Sequence, residues 1–276
     1  VPSASDHVYF ENNAISCNTE SELDQSGTGA LASLNIAQSY TGSIGTAATP
    51  LKHKATLVSI GYHDGPGTPA GSPLIHLDLH TADTAVTVHN TGTSADASRA
   101  PVRIKGAGDG SPANTLIVYK GKVELGTDTT DSSTKFVTVT CSYDTKVATD
   151  ADLFIGPGAS ATAITTLNIL GGDVYLKKAV SNLNIEAGTL LTTGSGAITT
   201  MNVTGGVVTA NSTGTIAALN IFDGAGVVDF TKSNVSRAVN DTKLDPGGVI
   251  KVNNTDITAF EIVPYTTGRN ITYTAS

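Results

Sequence analysis

The chain is 276 residues long, only 14 % of them charged, with a formal net charge of −8. Its Lys and Arg are scattered, so no basic stripe exists to release phosphate counterions, which argues against a nucleic-acid partner. Low charge combined with 29 glycines and no tryptophan suits a rigid β-rich scaffold, and the apolar runs are too frequent for a disordered chain. No stretch approaches the roughly 18 apolar residues of a membrane-spanning helix. The opening Val1-Pro2-Ser3-Ala4-Ser5-Asp6 lacks the plan of a signal peptide; loss of the initiator Met is the simpler reading of the start, and a signal already removed is the alternative. Cys17 and Cys141 are too few for a disulfide framework. They are expected as two reduced, partly buried thiols, with a single long-range bridge as the alternative.

In chain order, residues 1–90 read as an irregular β-rich N-terminal arm and docking region. Leu31-Ala32-Ser33-Leu34-Asn35-Ile36 repeats once the pattern of the rungs described below, so a first coil is expected to start here. Strands are expected over Lys54 to Tyr62 and Leu74 to His80. The Gly/Pro loop between them suggests a long hairpin or a lateral protrusion. Its Gly65, Pro66, Gly67, Thr68, Pro69, Ala70 and Gly71 are candidate partner contacts, because the prolines limit the entropy lost on docking. If Ile75, Leu77 and Leu79 point inward, His76, Asp78 and His80 share the outer face of the second strand. Residues two apart lie about 7 Å from each other, so neighbouring pairs have metal-sharing distance, while His76 and His80 do not. A solvated strand face is the plainer reading. His63 and His89 are lone residues, read as surface or interface groups.

Residues 91–232 read as a solenoid, regular from about 150. A weak rung occupies Leu116 to Leu125, and near-identical rungs follow from Ile164 to Phe230. Each of these has the form [Ile/Val]-x-x-[Leu/Met]-Asn-[Ile/Val]. The asparagines are Asn168, Asn184, Asn202 and Asn220, each followed four residues later by a glycine: Gly172, Gly188, Gly206 and Gly224. Such a short fixed period means units that bury their apolar faces only by stacking. The alternation in Leu167-Asn168-Ile169 is that of a half-buried strand. After each glycine comes a second apolar segment, such as Val174 to Leu176, and then a turn such as Asn211-Ser212-Thr213-Gly214. Nothing has helical periodicity. The expected fold is therefore all-β: a single-stranded parallel β-helix of about 18 residues per coil. About eight coils would give a stack about 40 Å long.

Stacked in register, the four asparagines would lie about 4.8 Å apart and form a structural amide ladder. An outward recognition stripe for a ligand or for ice is the alternative. Thr165-Thr166 and Thr199-Thr200 match each other, but Ser181-Asn182 and Ala217-Ala218 break a threonine face. Asn211, in a turn, is expected to tolerate change. Beyond Phe230 the period is lost, and residues 233–276 read as a small C-terminal β cap covering the last coil.

Some parallel β-helices cleave polysaccharides with convergent carboxylates. Here Asp173 and Glu186 fall at different positions of their rungs. No nucleophile elbow, phosphate loop or metal-spaced cysteine pair occurs. No catalytic residue, cofactor or metal is expected.

Several segments resemble proteins encoded beside the major capsid protein in tailed-bacteriophage and prophage genomes. They are Val8-Tyr9-Phe10 with Ala14-Ile15-Ser16, Ile36 to Gly45, Ile60-Gly61-Tyr62-His63, Gly65 to Ser72, Thr87 to Thr91, and Gly196 to Asn202. The resemblance implies a head structural protein, an auxiliary or decoration protein on the virion exterior, made in the bacterial host cytoplasm. Its implied partner is the major capsid protein, while open solenoid ends and a low-charge surface point to a homo-oligomer, with a trimer favoured. The resemblance carries over no catalytic residue. A tail-spike or fibre-like receptor- or glycan-binding solenoid and a secreted polysaccharide lyase or adhesin are the alternatives.

Overall fold

Inward and outward side chains alternate along almost every strand, and that alternation builds the molecule. In Val180–Ile185 the order is buried, exposed, exposed, buried, half-buried, buried, and Ile198–Val203 and Ile216–Ile221 nearly repeat it. The computed structural model describes residues 2–11, 15–17, 30–62, 74–79, 84–90, 102–106, 114–126, 134–142, 151–156, 162–222, 226–253, 255–262 and 272–275. These hold 23 strands and, among the described residues, no helix.

The strands form two parallel sheets, one of twelve strands and one of eleven. After the first two strands, successive strands alternate between the sheets, so each coil adds one strand to each. This is a parallel β-helix with two facing walls. Because each chain segment pairs with the segment one coil away, the apolar set stacks into rows. Leu167 pairs with Leu183, Leu183 with Met201, and Met201 with Leu219, and all four are fully buried. The second wall supplies Val174, Leu190 and Val208, in register and equally buried. One continuous core runs from Leu31 to Val252.

Glycines close the corners where the first wall turns into the second. Gly188 has φ +79°, and a Cβ there would lie 2.3 Å from the Gly172 carbonyl oxygen of the coil below. No other residue fits both the left-handed backbone and that approach.

Both walls run through residues 90 and 232 without a break. His7–Phe10, Leu31–Ala37, Ala55–Tyr62 and Ala85–Val88 belong to the first wall, and Arg237–Leu244 and Thr255–Ile262 continue it at the other end. The first wall thus has twelve rungs rather than about eight, and a height of about 53 Å at the inter-strand spacing. The strands around the Gly/Pro loop do not form a hairpin. Ala55–Tyr62 pairs in parallel within the first wall and Ile75–Leu79 within the second. A segment linking opposite walls of one coil looks, in sequence, just like one linking two antiparallel neighbours. Neither cysteine is in a disulfide: Cys141 lies in the core and Cys17 is partly exposed.

Candidate functional site

Three kinds of ladder cover the outer faces, and each has a different chemical capacity. The first wall carries the asparagines. The Nδ2 group of Asn184 donates to Oδ1 of Asn168, Asn202 to Asn184, and Asn220 to Asn202, each at 2.9 Å. All four are half-buried, and the row is flanked by Thr140 at one end and Lys243 at the other. Every amide in mid-row is both donor and acceptor along the axis. That leaves it little free capacity for a ligand.

The second wall begins with charges. Arg103 Nε meets Glu124 Oε2 at 2.8 Å, Lys105 Nζ lies 3.9 Å from Asp78, and Lys122 Nζ lies 3.7 Å from Asp152. Each pair joins neighbouring coils. His76 and Asp78 do lie on the outward side of their strand, but His76 is only 8 % exposed and sits in a cleft with Ser16, Ser43, Thr46 and Arg103. Asp78 belongs to the Lys105 pair, and His80 lies outside the described residues. No group of three metal-ligating side chains occurs among the described residues. His89 stacks on Tyr119 with centroids 5.9 Å apart, and burial lowers its pKa. His53 points into the core, where complete burial lowers its pKa to about 4, and its Nδ1 accepts the Ala55 N–H. The loop residues Gly65 to Gly71, and His63 beside them, lie outside the described residues.

Further along the second wall the outward row changes to Phe154, Tyr175, Leu191 and Thr209, one per coil. The Phe154 and Tyr175 rings stack face to face, with centroids 4.6 Å apart and planes within 6°. Beyond the stack lies a groove of about 400 Å³. Tyr175 and Leu191 form its apolar side, and Asp173, Thr209, Asn211 and Lys232 line the rest. Asp173 accepts a hydrogen bond from the Thr189 hydroxyl. Glu186 is exposed at a corner after the first wall, so it does not share a row with Asp173.

This row escaped the sequence reading. Its signal is present, since Tyr175 stands between inward Val174 and Leu176 as Phe154 stands between inward Leu153 and Ile155. The 21-residue step between the two hides the match.

A polar corner closes the groove end of the stack. Arg237, 4 % exposed, donates from Nε to the Ser212 carbonyl and from Nη1 to the Phe230 carbonyl and Thr255 Oγ1, and its guanidinium lies 5.2 Å from the Phe230 ring centre. Burial lowers its pKa. Asp229 is also buried. Burial alone would raise its pKa, but hydrogen bonds from Thr231 and the charges of Lys251 and Lys232 carry it below the usual carboxylate value. Asn211 is not the free turn residue that its surroundings in sequence suggest: its Oδ1 is buried without a partner. Comparison with protein-family models, with curated proteins and with solved structures gave no match.

Proposed function

We propose that this chain is a bacteriophage virion structural protein that decorates or stabilises the capsid by binding the assembled lattice of major capsid protein. The reading joins the resemblance of ordered segments along the chain to one structural observation. Polar side chains on the outer faces bond mainly along the solenoid axis, from coil to coil. The asparagine ladder and the Arg103–Glu124, Lys105–Asp78 and Lys122–Asp152 pairs all work this way. Such a rod is stiff and chemically quiet, as a reinforcing element needs to be. In this reading the protein is not an enzyme and works as a homo-oligomer, with a trimer favoured, on the capsid exterior.

A tail-spike or fibre-like receptor-binding role is the second reading, favoured by the groove beside Tyr175. Cosedimentation with purified capsid shells tests the first reading. The expected result is saturable binding to shells that is lost when residues 66–72 are deleted. Full occupancy by that variant, with loss of binding on removing residues 240–276, would place the anchor at the opposite end. Failure of the intact chain to bind shells would refute the capsid reading itself.

A further inference from the structure

We propose that the groove on the second wall is a binding site for a neutral hexopyranose unit of a glycan, seated on the face of Tyr175. The inference starts from a row of stacked side chains that ends early. Phe154 covers one face of Tyr175, with ring centroids 4.6 Å apart and planes within 6°. The opposite face is turned along the axis toward the next coils. There the row supplies only Leu191 and then Thr209, both shorter than an aromatic ring. Tyr175 consequently remains 38 % exposed, and the space past it is the groove of about 400 Å³. That volume is at the lower end of small-molecule sites. A ring placed on the outer part of Tyr175 would lie over the shorter Leu191 side chain, where the aromatic stack stops.

The surroundings define the chemistry of that ring. One wall is aromatic and aliphatic. The others carry the Thr209 hydroxyl, the Asn211 amide, the Asp173 carboxylate and the Lys232 ammonium. A flat apolar ring would strip water from those groups without replacing their hydrogen bonds, which is costly. A pyranose has an apolar C–H face for the tyrosine and a rim of hydroxyls that donate and accept. Charge narrows the class further. One carboxylate and one ammonium sit on the rim, and Lys232 is already 3.9 Å from Asp229. A neutral sugar suits this balance better than an acidic or an amino sugar. The ring that receives the ligand is stacked on Phe154, and Asp173 and Thr209 sit in strands, which limits the ordering cost of binding.

The proposal does not depend on where the protein sits in a virion. Its test is saturation-transfer NMR with the methyl glycosides of glucose, galactose, mannose and N-acetylglucosamine, each added to the full chain. The expected result is transfer to the ring C–H protons of one face of at least one of them. Tyr175→Ala should weaken that sugar by about tenfold, the value of one good aromatic contact, while Tyr175→Phe retains it. Leu191→Phe gives an independent variant that need not harm folding. It extends the stack into the groove, and should keep or raise the melting temperature while abolishing transfer. Tyr9→Ala, on the other wall, should change nothing. Absence of transfer from all four sugars overturns the proposal, as does transfer unaffected by Tyr175→Ala and Leu191→Phe. Transfer to p-cresol with none to the sugars also overturns it, by showing that the groove takes an aromatic side chain instead.

Discussion

Asn184 is the best place to measure what the amide ladder contributes. Its Nδ2 donates to Asn168 and its Oδ1 accepts from Asn202, so Asn184→Ala removes two 2.9 Å hydrogen bonds. Asn220 only donates, to Asn202, and the next residue in its row is Lys243, so Asn220→Ala removes one. A net contribution of about 0.5–1.5 kcal/mol per bond gives about 1–3 kcal/mol for Asn184→Ala and half that for Asn220→Ala. The lower half of each range applies, because the asparagines are half-buried and water reaches the freed partners. Asn184→Asp should cost more than Asn184→Ala, since it keeps the acceptor but sets a carboxylate oxygen against Asn168 Oδ1. Thr200→Ala, at a neighbouring outward position, corrects for loss of side-chain packing. Repeat arrays depart from two-state unfolding, so urea transitions should be read beside amide exchange in residues 183–203. Equal costs for Asn184→Ala and Asn220→Ala, or neither exceeding Thr200→Ala, would show that the ladder does not stabilise the stack.

The remaining expectations concern the core. Leu183→Asp places a carboxylate in the middle of a fully buried row and should cost more than about 4 kcal/mol, or prevent folding, as seen by loss of the β circular-dichroism signal. Thr242 occupies the next position of the Leu219 row, fully buried with its hydroxyl unpartnered. Thr242→Val should therefore stabilise by about 1 kcal/mol in urea titration, and a loss would show that the hydroxyl has a partner. His53 stays neutral in the folded protein down to about pH 4, while the unfolded chain takes up its proton near the ordinary value of 6.5. Its share of stability is thus complete above pH 6.5 and declines as pH falls to about 4, by about 3 kcal/mol in all. In His53→Leu the unfolding free energy should fall less steeply over that window, and parallel profiles would refute the assignment.

The regular coils were legible because inward residues recur at nearly fixed steps from Ile164 to Phe230. Once those align, the asparagine row follows from strand geometry. The outer coils obey the same pairing with unequal connections. Val139 pairs with Leu167, 28 residues on, and Leu219 with Thr242, 23 residues on. Register along a wall is set by hydrogen bonds and the inward set, and a longer corner between walls leaves both intact. Sequence period therefore disappears where structural period does not. The groove was illegible for a different reason. An outward aromatic residue blurs the apolar–polar alternation that reveals a strand, so the row of Phe154 and Tyr175, 21 residues apart, emerges only after register is known. Asn211 and Arg237 show a third limit. Arg237 reaches across to Ser212, Phe230 and Thr255, and Asn211 buries its Oδ1, and no local pattern encodes either.

The two ends of the stack offer a partner different surfaces, and this bears on where a capsid contact would form. At the C-terminal end of the first wall, Arg237–Leu244 and Thr255–Ile262 expose Asp241, Lys243, Asp256 and Glu261. Charges on terminal strands keep such surfaces in water and discourage coil-on-coil association. At the N-terminal end the exposed side chains include Tyr9 at 58 %, Ile15 at 73 % and Leu57 at 56 %, all apolar or aromatic. Residues of that kind gain most from being covered, and aromatic side chains are enriched where protein interfaces are tightest. Coils in the middle resemble one another too closely to fix a unique docking position. In the capsid reading, a contact with both affinity and register would therefore fall at the N-terminal end, within residues 1–90, with the asparagine-laddered coils holding that end rigid.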